Sequence, residues 1–216
     1  MPAKAHAARR GFSLVEVMIA LIVICVGLLG IAKLEALMLS STGTSRLRSL
    51  VALQAASLAA SMHADRNYWD GSSSSWNPAG GNNLALTATE SAGSTTWSGS
   101  NTSSAAVATS ANSPPTCQES TTGSAPPTCT SPQDMAAFDL SQWSGKTTST
   151  TTSGLASVLK NSTTTIGCAQ NTSANNVVTC TIAVTWQENT VAANSQEASV
   201  GGSTFQTETY TLVVEP

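Results

Sequence analysis

Apolar residues run from Phe12 to Ala32, broken only by Ser13 and Glu16 among polar side chains. At 1.5 Å rise per residue, this stretch is long enough to cross a hydrocarbon core as a helix. Beyond it, from Lys33 to about Ala64, there is no proline, and Gly43 is the one strong helix breaker. Leu34, Leu37, Met38, Leu47, Leu50, Val51, Leu58 and Met62 recur at helical spacings, a stripe along one face. Residues 12–64 are therefore expected to form one long helix, with 12–32 apolar all round and the remainder amphipathic. Gly27, Gly30 and Gly43 read either as points of close helix packing or as places where that helix yields.

The pattern then changes. Residues 70–131 are rich in Ser, Thr, Ala and Asn, are punctuated by Gly and Pro, and show no sustained periodicity. Residues 65–130 are read as a variable region, with Trp76 and Trp97 as the side chains able to order it. Order is expected again at Ser131-Pro132-Gln133-Asp134, where an N-cap serine, a proline at the first helical position and an acid at the third mark a helix start. Met135, Ala136, Leu140 and Trp143 follow on one side, for a helix of two to three turns. Asp139 falls inside that apolar arc, as a buried contact residue or as a carboxylate satisfied locally or tilted outward. Leu155–Lys160 reads as a second helical turn.

The C-terminal part alternates with the period of a strand. Val178, Cys180, Ile182, Val184 and Trp186 share one face, and Thr179, Thr181, Ala183 and Thr185 the other. Phe205–Glu215 is similar, with Tyr210, Leu212 and Val214 inward. Ile166–Ala169 pairs before the first of these strands, and Glu188–Ser203, with Gly201-Gly202, reads as a loop. Residues 131–216 are thus expected to form a small antiparallel sheet, polar on one side, against which the amphipathic half-helix lies.

Composition narrows the function. Asp, Glu, Lys and Arg make up 10% of the chain, against about 25% in ordinary soluble proteins. Net charge is −3, and 62 residues are Ser or Thr. No Lys/Arg stripe exists to neutralise phosphates, which excludes nucleic acid as a partner. An acidic disordered tail is excluded too. No catalytic residue is assigned: His63 has only Asp65 beside it, and no G-x-S-x-G, P-loop or dinucleotide-binding pattern occurs. The sequons at Asn101, Asn161 and Asn171 are read as coincidences of composition. No metal and no cofactor are expected, and the chain is not read as an enzyme.

Lys4, Arg9 and Arg10 precede the apolar run and hold the short end in the cytoplasm by the positive-inside tendency. The rest then lies outside it, where disulfides persist. Cys25 falls mid-membrane and reads as a packing residue. The other four cysteines permit three connectivities. Both sequential pairs enclose eleven residues, a spacing that closes a loop or hairpin, so Cys117–Cys129 and Cys168–Cys180 are expected. No C-x2-C and no nearby His supports zinc instead. A cleaved secretory signal would end in small residues, and none closes the run cleanly. An ordinary signal anchor leaves Glu16 unexplained, because a lone carboxylate in lipid is costly and demands a partner.

Gly11-Phe12-Ser13-Leu14-Val15-Glu16, after a basic leader and before an apolar run, resembles the signal of type IV pilins and type II secretion pseudopilins. The resemblance implies cleavage between Gly11 and Phe12 by a prepilin peptidase, with Phe12 then N-methylated, so that residues 1–11 are a removed leader. The new ammonium of one subunit is neutralised by Glu16 of a neighbour. Such a buried pair adds little stability but specifies register, since a misaligned subunit leaves two unpaired charges. The implied fold is α+β, a lollipop of one long helix and a small antiparallel head with a short extra helix. Cys129 before Met135-Ala136-Ala137-Phe138-Asp139-Leu140 and Trp143, with Ile182–Trp186 later, is similar to the minor-pilin family of type IV pilus modification protein PilV. That family implies a priming or tip complex with the major pilin, other minor pilins and the tip adhesin, supporting pilus assembly, adhesion and twitching motility. It implies an inner-membrane anchor with a periplasmic head in a Gram-negative bacterium, then an extracellular pilus. A type II secretion pseudopilin and a membrane-anchored adhesin or binding head are the alternatives.

Overall fold

The stem is one helix, α1 (Leu14–Ala64), 51 residues without a break. The computed structural model describes residues 13–72, 76–78, 81–91, 93–113, 117, 129, 131–145, 154–171, 177–189 and 205–216. Gly11, Phe12 and the leader lie outside those residues, as do residues 190–203 of the stretch expected to be a loop, with Gly201-Gly202; its first two residues, Glu188 and Asn189, are strand instead, continuing the run from Val177. α1 runs straight through Gly27, Gly30 and Gly43, at each of which an added Cβ would meet nothing within 4 Å.

The buried stripe begins later than the spacing suggests. Val51, Ala55, Leu58 and Met62 are all fully buried, at helical intervals of four, three and four, and Leu47 packs partly against them. Leu34 and Met38, expected in the same stripe, are 59% and 68% exposed. Their spacing is helical, but the head does not extend down to meet them. α1 ends at Asp65, whose φ of −106° and ψ of 49° break the helix before the single turn α2 (Arg66–Trp69).

Five antiparallel strands form one sheet: β1 (Leu84–Ser91), β2 (Ser94–Gly99), β3 (Thr163–Asn171), β4 (Val177–Asn189) and β5 (Phe205–Val214), in the order β2-β1-β3-β4-β5. Leu84, Leu86, Ala88, Trp97, Ile166, Val178, Ile182, Val184, Trp186 and Val214 point into the core. Against this face lie α1 and α3 (Thr102–Asn112), while α4 (Pro132–Ser144) packs on α3 and α1 and its end meets β2 through Trp143 and Ser144. The opposite face carries threonine in register: Thr96, Thr89, Thr163, Thr185 and Thr209 form one row across all five strands. The Thr185 and Thr209 hydroxyls are 3.0 Å apart. None of the described strand residues on that face is charged.

The 70–131 stretch corrects the sequence reading, because β1, β2 and α3 all lie within it. In β1 the alternation Leu84, Leu86, Ala88, Glu90 inward against Ala85, Thr87, Thr89 outward is real. Ala and Thr give it little hydropathic contrast, so the period is hidden. Asn101 caps α3, accepting from the Ser104 N–H at 2.9 Å, which employs its side chain structurally. Gly99 is needed for contact: a Cβ there would stand 2.1 Å from the Ser104 carbonyl carbon. Trp76 and Trp97 are both buried, their N–H groups donating to Tyr68 O (2.6 Å) and Ser144 Oγ (3.2 Å).

α4 starts as expected, with Ser131 Oγ accepting from the Asp134 N–H and Pro132 in its first turn. It ends at Gly145, whose φ of 82° suits a left-handed C-cap. At 13 residues it is longer than two to three turns, because Ser141 and Ser144, polar in the pattern, are buried. α5 (Leu155–Val158) is the second short turn.

Candidate assembly stem and head anchorage

From Leu14 to Leu39 the large apolar side chains of α1 stand clear of the rest of the chain, mostly 53–76% exposed. The helix is long and apolar enough to cross a membrane. A helix apolar on every side is stable only where lipid or other apolar helices cover it. Glu16 sits in its first turn, exposed, with Val15 and Val17 on either side. The helix dipole favours an acid at that end, and among the described residues the ion pairs are those of Arg48, not of Glu16. Cys25 is free and exposed on the same surface.

At the other end of the stem, Arg48 fastens α1 to the sheet. Its Nε donates to Glu188 Oε1 at 3.1 Å and its Nη2 to Glu188 Oε2 at 2.9 Å, a two-pronged contact. Nη2 also lies 3.2 Å from Glu208 Oε1. Trp186 Nε1 donates to Glu188 Oε1 at 3.0 Å. The Arg48 hydrogen bond holds the Glu188 carboxyl below its ordinary range although burial pulls it upward. The sequence reading missed this group. Two signals were available: Glu188 continues the inward parity of Val184 and Trp186, and Arg48 lies one helical step before Val51 on the packing face.

A second tie comes from α4, where Trp143 Nε1 donates to Gln54 O of α1 at 2.8 Å. Trp97 packs on Trp143 with ring centroids 6.3 Å apart. Glu90, buried on β1, accepts from the Gly93 and Asn161 N–H groups and so pins two turns. Asn161 has a φ of 55° there.

The structure joins Cys117 to Cys129 and Cys168 to Cys180. Cys168 and Cys180 face each other in the β3–β4 register, both on the core side. Cys117 rests against α4, its Sγ 3.7 Å from Asp134 O. The double variant Cys168→Ala/Cys180→Ala is expected to cost about 3 kcal/mol, mainly through a freer unfolded chain. Chemical unfolding of the variant beside the oxidised parent measures it.

His63 is exposed on α1, while its sequence neighbour Asp65 is half-buried at the helix end. Asp139 is half-buried on α4 and adds its charge to that of Asp65. Among the described residues there is no group of three or more His, Cys, Asp or Glu able to hold a metal ion.

Residues 6–32 match the prokaryotic N-terminal methylation motif. Motif and fold together support a type IV pilin-like protein. The motif implies processing by a prepilin peptidase and assembly with other pilins, and with the apolar helix it fits a membrane-anchored, single-pass pilin. No curated protein and no solved structure matches the chain.

Proposed function

We propose that this chain is a minor pilin of a type IV pilus, a structural subunit of the priming or tip complex and not an enzyme. The observation that carries the reading is the methylation motif, with Glu16, on an apolar stem left uncovered by its own head. In this reading the bond between Gly11 and Phe12 is cut and Phe12 is methylated. Its ammonium is then met by Glu16 of a neighbouring subunit, which sets register. The head is periplasmic until assembly and extracellular afterwards, and its partners are the major pilin, other minor pilins and the tip adhesin. The pilus supports adhesion and twitching motility.

Likeness to the type IV pilus modification protein PilV supports the minor role. The two patches that carry it, Met135–Trp143 and Ile182–Trp186, supply Trp143 on Gln54 and Trp186 on Glu188, both part of the stem's attachment. Mass spectrometry of filaments sheared from native cells tests the proposal. A peptide beginning at methylated Phe12, at a small fraction of the major subunit, is the expected result. Parity with the major subunit would make it a main subunit. An intact N-terminus confined to the membrane would leave an anchored binding head, and recovery only in a secretion-system filament a pseudopilin.

A further inference from the structure

The two edges of the sheet are finished differently. β2, six residues long, is closed along its outer edge by α3: the Trp97 N–H donates to Asn112 Oδ1 at 2.8 Å, and Asn112 Nδ2 donates to the Trp97 carbonyl at 2.6 Å. One side-chain amide thus occupies backbone groups that a further strand would use. β5 is the other edge, and among the described residues no strand lies beyond it. It is ten residues long and pairs with β4 without a bulge, from Phe205 opposite Asn189 to Val214 opposite Cys180. Phe205–Val214 contains no Lys and no Pro, the usual guards of an edge strand.

Among the described residues outside α1, the large apolar side chains left exposed are Val177, Phe205 and Val213, at 40%, 50% and 61%. The last two are on β5, on the threonine face, with Thr207, Thr209 and Thr211 between them. Phe205 and Val213 stand equally far from Thr209. An antiparallel strand of the same sequence, centred on Thr209, therefore sets Phe205 opposite Val213 of the second copy, and Val213 opposite its Phe205. Thr207 meets Thr211 in the same way. On the core-facing side Glu208 meets Tyr210. Centring the pair on Glu208 would instead oppose two carboxylates, and centring it on Tyr210 would set Phe205 against Glu215 and Val213 against Thr207. The Thr209 register is the one that matches both apolar positions.

We propose that β5 is an interface with a second copy of this chain, two β5 edges pairing antiparallel about Thr209 and joining two sheets into one. The two-fold axis of such a pair runs perpendicular to the sheet. α1 lies along the core face over β4 and β5, so the axis turns the second stem to point the opposite way. Two stems in one membrane point the same way and cannot adopt this arrangement. The pairing therefore joins heads presented from two facing surfaces. β2, sealed by Asn112, keeps the joined sheet from growing further.

The test uses the full chain in detergent micelles, with Cys25→Ser throughout to remove the free thiol. Adding Thr209→Cys places two thiols opposite each other at the two-fold, within the Cα separation that a disulfide needs. Oxidation should then give a covalent dimer, whereas Thr96→Cys, in the same threonine row on β2, should remain monomeric. Without introduced cysteines, light scattering corrected for detergent follows the dimer. Phe205→Lys and Val213→Glu are each expected to weaken it by about tenfold, because each change acts twice in a two-fold pair. Combining them should restore it. The lysine of one copy then faces the glutamate of the other, although within one chain the two sites are eight residues apart. A monomeric parent, equal linking through the two cysteine positions, or a double variant no tighter than the singles overturns the proposal. A dimer that neither charge change weakens is held by the stems and overturns it as well.

Discussion

Glu16→Ala is expected to leave the chain folded and membrane-bound while lowering its share of sheared filaments by on the order of a hundredfold. Glu16 lies about 45 Å along the helix from Leu47, where contact with the head begins, at 1.5 Å per residue. Nothing in the head senses its removal. In the proposed assembly, however, its absence leaves the neighbour's Phe12 ammonium unpaired in an apolar core, where an uncompensated charge is worth far more than in water. Glu16→Asp, which keeps the charge on a shorter arm, should recover part of the loss. Quantitative mass spectrometry of filament and membrane fractions gives the ratio. Equal filament shares for parent and Glu16→Ala would exclude a role for the carboxylate in assembly.

Leu58→Ala should have the largest effect on the head itself. Leu58 is fully buried on α1 between Ala55 and Met62. Its truncation removes transfer energy and leaves a cavity that a sheet on one side and a rigid helix on the other cannot close. The expected cost is about 3 kcal/mol, which lowers Tm by roughly 6–12 °C in a chain of this size. Leu53, five residues earlier on the same helix and 66% exposed, is the matched control. Leu53→Ala should move Tm little. Equal melting of the two variants would mean that the packing of α1 on the head does not hold the fold together.

How much of this was legible depended on contrast. The stem was plain because twenty-one residues of nearly unbroken hydrophobicity and a stripe at helical spacing leave one reading. α4 was plain because its start combines three independent signals in four residues, Ser131, Pro132 and Asp134 among them. β4 was plain because Val, Ile and Trp alternate with Thr. β1, β2 and α3 were not, since Ala, Ser and Thr differ too little in hydropathy for the period to show. Their partners are also far away in sequence: Leu86 pairs with Ile166. At the stem, Glu16 stood out because a carboxylate among apolar neighbours is conspicuous. Arg48 and Glu188 were not, because their meaning lies in a contact across 140 residues. Asp139 was singled out from its place in an apolar arc, but its relation to Asp65 needed the fold.

The outward face of the sheet has a consequence for anything that touches it. With rows of threonine and no charge on its strands, it exerts no long-range field. It can neither draw a partner in nor repel one, and added salt would leave a contact made there almost unchanged. The exposed Arg48 clasp on the other side of the sheet is weakened by the same salt. Threonine also has few rotamers to give up on contact. The head thus presents two surfaces that ionic strength tells apart, one indifferent to the medium and one tuned by it.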